Sequence, residues 1–200
     1  MQRRMPRPFR ALRGRPALLA AALAAILLAS ACEDPFELQA TRLNVDVGLE
    51  GWALTGTAPS LPTVLIVPGY TMTRPDAAGS FDLGFDIDAN GRLVVLPVGS
   101  VVAALAGTRA IGFLRPTGAY DAILEAPRSG YTSDSSLVLG VGDIFITRIA
   151  SAFCQFDFRQ EIYAKFRVDS IIPAERRFKV QALINPNCGF RSFQTGLPEF

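Results

Sequence analysis

The chain has 200 residues, half of them hydrophobic, with 20 basic and 18 acidic side chains and no histidine. The missing imidazole removes the Ser-His-Asp and Cys-His catalytic constellations, the histidine-containing zinc sites and the usual general base near neutral pH. Its only lysines, Lys165 and Lys179, do not stand three residues after a serine, and neither a Gly-x-Ser-x-Gly elbow nor a phosphate-cradling Gly loop ending in Lys-Ser/Thr occurs.

Residues 1–31 carry six arginines and no carboxylate, and Ala17 to Ala29 form a run of 13 small or apolar residues. Positive charge followed by a short apolar run is the layout of a removable export signal, because a membrane-spanning helix needs about 20 apolar residues. The stretch Leu28-Ala29-Ser30-Ala31-Cys32 resembles the lipobox of bacterial lipoproteins, with Ala29 where leucine is usual. The resemblance covers residues 1–32 only. It implies that Cys32 is acylated, with chains such as palmitate, and becomes the N-terminus of a protein anchored in the cell envelope, facing the periplasm or the exterior. The competing reading is an ordinary secretory site at Ala29-Ser30-Ala31. The expected organisation is a signal peptide over 1–31, a short tether over 32–41 and one β domain over 42–200.

Loss of the signal reverses the net charge, since 14 basic and 18 acidic residues remain, a net of −4. That balance offers no electrostatic footprint for nucleic acid or anionic headgroups, so membrane attachment is expected to come from the lipid on Cys32. Two cysteines follow, Cys154 and Cys188. In an oxidising compartment they are expected to form a disulfide, the alternative being two buried free thiols.

In chain order, Leu43, Val45, Val47 and Leu49 alternate with polar or small residues and predict a half-buried strand. Thr63 to Val67 and Arg92 to Val98 are β-branched runs bounded by Pro and Gly, as buried strands are. In Phe81 to Asp88, Phe81, Leu83, Phe85 and Ile87 alternate with Asp82, Gly84, Asp86 and Asp88, predicting one core face and one wet face. Asn90-Gly91 then predicts a tight hairpin in which both turn residues take positive φ. Strand pattern continues through Arg109 to Arg115 and Ser135 to Ile149, with a turn at Gly142-Asp143. The segment Gly118 to Ala126, ahead of Pro127, predicts one short connecting helix.

The C-terminal quarter reads as a second hairpin. Ile162, Ala164, Phe166 and Val168 alternate with Tyr163, Lys165, Arg167 and Asp169, and a Pro-initiated turn leads to Phe178, Val180, Ala182 and Ile184. Cys154 leads into this hairpin and Cys188 leads out, so antiparallel pairing brings them together. The sum is an all-β chain, an antiparallel β-sandwich or flattened barrel with one short connecting helix.

Three groups of residues are candidates for a site. Asp86, Asp88 and Asn90 match the first half of a calcium loop, but Pro97 stands where a bidentate Glu closes such a loop, so calcium binding there is expected to be weak, and the hairpin accounts for the same residues without metal. Phe153, Phe156, Phe158 and Tyr163 are an aromatic patch for sugars or protein partners if exposed, and core if buried. Asp82, Asp86, Asp88, Asp157 and Glu161 are the carboxylates open to a sugar-cleaving mechanism. The expected function is a lipid-anchored, non-catalytic binding or assembly module of the envelope, with envelope proteins or glycans as partners. The alternative is a carboxylate-dependent carbohydrate-active enzyme or carbohydrate-binding module.

Overall fold

The computed structural model describes residues 39–78, 80–107, 110–133, 135–154 and 159–198. Cys32, Phe156, Asp157 and Phe158 lie outside the described residues. Among the described residues eleven strands follow in chain order: β1 (Val45–Trp52), β2 (Val64–Ile66), β3 (Thr71–Thr73), β4 (Leu83–Ile87), β5 (Leu93–Pro97), β6 (Ile111–Leu114), β7 (Thr132–Ser133), β8 (Leu137–Leu139), β9 (Ile144–Ala150), β10 (Glu161–Ile172) and β11 (Arg177–Asn185). They form a six-stranded sheet, β1-β11-β10-β9-β6-β7, and a five-stranded sheet, β3-β2-β4-β5-β8. Every pairing is antiparallel. Neither order closes on itself, so the architecture is a β-sandwich and the barrel alternative falls away.

The β10–β11 hairpin is the spine. Ala164 faces Ile184, Phe166 faces Ala182 and Val168 faces Val180, and a bulge between Val168 and Ser170 shifts the register. A 3-10 turn at Pro173–Glu175 ends on Arg176, whose φ of 52° turns the chain back. The bridge between Cys154 and Cys188 spans 34 residues and closes the open end of this hairpin. Between the sheets, Phe145 stacks on Phe166 at 4.6 Å and Phe85 meets Phe178 at 4.8 Å, so large rings from both layers fill the core. At Gly142, with φ of 87°, a tight turn carries the chain from β8 in one sheet to β9 in the other.

Several expectations are corrected. The predicted helix at Gly118 to Ala126 is a single 3-10 turn, Tyr120–Ala122, without a side-chain cap. Beyond it the backbone is extended and paired with the C-terminal segment: Glu125 bridges Ser192, the Phe193 amide donates to Leu124 O and the Ala126 amide donates to Arg191 O. Those partners take the backbone groups a helix would use internally. The α-helical turn instead lies at Val98–Val101. In the first hairpin only Gly91 takes positive φ, at 74°. The Gly91 amide donates to Asp88 O and the Asp88 amide to Arg92 O, so a three-residue loop with Gly91 at its left-handed position replaces the two-residue turn.

The wet faces are also less wet than alternation implies. Asp82 is fully buried and its Oδ2 accepts the Val67 amide at 2.9 Å, while Gly84 is buried beneath Val101 and Leu54. The outer face of β9, β10 and β11 carries a second apolar cluster of Tyr120, Ile123, Ala126, Ile146, Tyr163, Leu183 and Phe193. The loop around Tyr120 to Tyr131 and the C-terminal segment lie over this face. Lys165, 2 % exposed, stands beneath them. Its Nζ donates to Tyr120 O at 2.7 Å and Ile123 O at 3.0 Å and sits 4.1 Å from the Tyr120 ring centre.

Candidate functional site

The same covering layer builds a cleft at one end of the six-stranded sheet. Arg148 on β9 is in register with Tyr163 on β10, and odd-even alternation turns both outward, opposite to Phe145 and Phe166. The Arg148 guanidinium lies 4.9 Å from the Tyr131 ring centre, and that ring is 6.3 Å from Tyr163. From the C-terminal segment Arg191 donates through Nη1 to Ala126 O at 2.7 Å and through Nη2 to Glu125 Oε1. Its side chain is 16 % exposed, which places a largely buried guanidinium in the wall. Arg128 follows two residues after Ala126.

Arg159 reaches the cleft because residue 189 has no side chain. A Cβ on Gly189 would fall 2.7 Å from Arg159 Cβ and 2.8 Å from its Cδ, and Gly189 has φ of 80°. The arginine stem therefore runs over bare backbone, which is itself pinned by the Gly189 amide donating to Glu161 O at 2.8 Å. The disulfide fixes both flanks, Cys154 standing five residues before Arg159 and Cys188 three before Arg191.

The result is two adjoining hollows. One, about 630 Å³, is bounded by Arg128, Arg159, Arg191 and Glu125, by Gly189, Ser192, Gln194 and Thr195, and by the apolar Leu124, Leu197 and Pro198. The other, about 470 Å³, is bounded by Arg128, Arg148, Arg159, Arg191, Gln160, Glu161 and Tyr163. Among the described residues four guanidiniums and two carboxylates line the hollows, on a chain that from Cys32 onward is net negative.

Elsewhere among the described residues six arginines pair with carboxylates, Arg74 with Asp76, Arg92 with Asp88, Arg115 with Asp143, Arg167 with Asp169, Arg176 with Asp86, and Arg177 with Glu50 and Glu175, while Arg42 lies over the Phe153 ring. Among the described residues Arg128 and Arg148 hold no carboxylate. Both open onto the hollow they share with Arg159 and Arg191. Burial pushes the Tyr163 phenol above its ordinary pKa, Glu161 pushes the same way, and Arg148, Arg191 and Arg159 pull it back. Tyr131 is raised too, by burial first and then by Tyr163, with Arg148 and Arg191 opposing. Both phenols thus remain protonated near neutrality beside guanidiniums that act on them together.

Of the residues singled out by sequence that the structure describes, Tyr163 and Glu161 line this cleft and the others lie elsewhere. Asp86 is held by Arg176 at 2.7 Å and by the Thr55 hydroxyl at 2.9 Å, whereas Asp88 accepts the Asn90 and Arg92 amides, each at 2.9 Å, and pairs with the Arg92 side chain. Asn90 is exposed on the hairpin loop. Among the described residues no three His, Cys, Asp or Glu side chains gather as metal ligands would. Phe153 is exposed, with the Arg42 guanidinium 4.5 Å from its ring centre, while Tyr163 and Phe166 are buried, so these three do not make one open aromatic surface.

Arg128, Arg148, Arg159 and Arg191 escape sequence inspection because four separate segments deliver them. The available hint is compositional: from Cys32 onward there are 12 arginines against two lysines, and the arginine fork is the side chain suited to bidentate oxyanion contacts. No protein-family model, curated protein or solved structure matches the chain.

Proposed function

We propose that this protein is a bacterial lipoprotein, anchored to an envelope membrane through acylated Cys32, whose β-sandwich binds an oxyanion-bearing ligand in the arginine cleft without transforming it. The observation that carries the binding role is the convergence of Arg128, Arg148, Arg159 and Arg191 on one concavity, where Arg128 and Arg148 hold no carboxylate among the described residues. Guanidinium forks bind carboxylate and phosphate oxygens with charge-assisted, often bidentate hydrogen bonds. Tyr163 and Gln160 add neutral polar groups to the same hollow.

The place where the chain enters the domain suits an anchored receptor. The Thr41 and Arg42 amides both donate to Asn187 Oδ1 at 3.0 Å, and Asn44 donates through its amide to Gly196 O and through Nδ2 to Ser192 O and Gln194 O. The entering chain is thus bonded to the segment that walls the cleft. Thr41 is nine residues beyond Cys32, a reach of at most about 30 Å, so an acylated Cys32 keeps the cleft near a bilayer.

Titration of the full chain in nonionic detergent with inorganic phosphate tests the binding role. Ligand that binds only the folded state raises the unfolding temperature with concentration. The expected rise disappears in Arg128→Gln/Arg148→Gln, and a wild-type protein indifferent to phosphate and to other oxyanions refutes the proposal. Replacement of Cys32 by Ser tests the anchor, which is refuted if the variant still fractionates with membranes. The carbohydrate-active alternative has one observation in its favour, that Glu125 and Glu161 both border the cleft. It requires wild-type turnover of a chromogenic glycoside that Glu161→Gln abolishes.

A further inference from the structure

The two hollows differ in chemistry, and the difference narrows the ligand. The smaller is bordered by Arg128, Arg148, Arg159 and Arg191 with polar neighbours, whereas the larger continues from three of those arginines onto Leu124, Leu197 and Pro198. Leu124 is 52 % and Leu197 55 % exposed, two of the five large apolar side chains left exposed among the described residues. Leu124 is held in place by its own carbonyl, which accepts the Phe193 amide at 2.7 Å. Apolar surface kept open beside a charged pocket marks a place where something apolar is received.

The charged end also discriminates among anions. A carboxylate presents two oxygens and one charge, enough for one arginine fork. A phosphate monoester presents three terminal oxygens and about −1.5 to −2 charges near neutral pH, enough for two or more. Arg128 and Arg148 have no carboxylate among the described residues, and Arg191 shares its guanidinium between Ala126 O and Glu125. This donor set exceeds what a single carboxylate can satisfy.

We infer that the cleft holds a phosphate monoester carried on an apolar chain, the phosphate between Arg128, Arg148, Arg159 and Arg191 and the first carbons of the chain against Leu124 and Leu197. The inference presupposes that the cleft binds an oxyanion at all. An acylated Cys32 would put such phosphate-headed amphiphiles within reach in the bilayer beneath the domain, whereas free phosphate would come from solution. Both sources share the phosphate, and the apolar wall favours the first.

The test is calorimetric titration of the full chain in nonionic detergent with n-hexyl phosphate, inorganic phosphate and hexanoate. Hexyl phosphate is expected to bind about ten- to a hundredfold more tightly than inorganic phosphate, from a few methylenes leaving water. Leu124→Asn/Leu197→Asn changes only exposed side chains and is expected to erase that advantage while leaving inorganic phosphate affinity intact. Arg128→Gln/Arg148→Gln is expected to weaken both phosphates by about a hundredfold. Equal binding of hexyl and inorganic phosphate overturns the amphiphile inference but leaves oxyanion binding standing. Hexanoate binding as tightly as hexyl phosphate overturns the phosphate assignment. Failure of all three to bind overturns both the inference and the oxyanion proposal on which it rests.

Discussion

Removal of the Cys154–Cys188 bridge by the double substitution Cys154→Ala/Cys188→Ala tests how the hairpin end is held. The bridge closes a loop with a sequence separation of 34, and in the chain-entropy account a cross-link of that span destabilises the unfolded ensemble by about 4 kcal/mol. The folded state keeps its pairings without the bridge, because β11 remains bound to β1 on one side and to β10 on the other, and β10 to β9. The variant should therefore fold, with a urea midpoint lowered by about 4 kcal/mol divided by the slope. Its unfolding temperature should fall by roughly 8 to 16 °C for a domain of this size. The slope itself should rise, since an uncrosslinked unfolded chain exposes more surface. A loss under about 1 kcal/mol, or an unchanged slope, would refute the entropic account. Phosphate affinity should fall as well, because the bridge fixes the flanks that carry Arg159 and Arg191.

Three further perturbations follow from particular contacts. Lys165 is buried, and desolvation holds its pKa below the ordinary 10.5, so the unfolded state binds more protons in the interval between the lowered pKa and 10.5. Wild-type stability relative to Lys165→Met should thus rise as the pH climbs toward 10.5, and a difference that stays flat in urea titrations up to pH 10 would contradict this. Arg176 donates to Thr55 O at 2.9 Å, Ile87 O at 2.8 Å and Asp86 at 2.7 Å, joining the β10–β11 turn to the opposite sheet while its own φ is 52°. Arg176→Gly relieves about 1 kcal/mol of backbone strain but loses partly screened, charge-assisted bonds, so chemical denaturation should register a net loss of about 1 to 2 kcal/mol. Gly189→Ala forces a Cβ to within 2.7 Å of the Arg159 stem at φ of 80°. It should cost about 1 to 2 kcal/mol of stability and weaken phosphate binding, and unaltered binding would remove Arg159 from the site.

Strands, hairpins and the disulfide were open to inspection of the sequence because their causes are local. Ile162, Ala164, Phe166 and Val168 share a face by the geometry of an extended chain, Pro173 turns that chain, and pairing the two arms aligns Cys154 with Cys188. The same rule leaves the opposite face undecided. Tyr163 and Lys165 stand on it, and the loop beyond Leu114 and the C-terminal segment cover them, but nothing in a strand's own periodicity announces a distant cover. The segment from Gly118 to Ala126 has helical spacing yet makes one 3-10 turn and then runs extended, since Ser192, Phe193, Arg191 and Lys165 supply the partners its backbone needs.

What the sequence determined by itself is the β architecture, the second hairpin and the bridge that closes it, all products of neighbouring residues and of two cysteines placed at one hairpin's flanks. Only tertiary structure decided where charge collects. Arg128, Arg148, Arg159 and Arg191 span 64 residues and come from a loop, a strand, the approach to β10 and the C-terminal segment, and the net charge of the chain averages them against carboxylates far away in space. Electrostatic interaction depends on distance through the fold and not along the chain, so a basic cleft can form without leaving a run of basic residues to read.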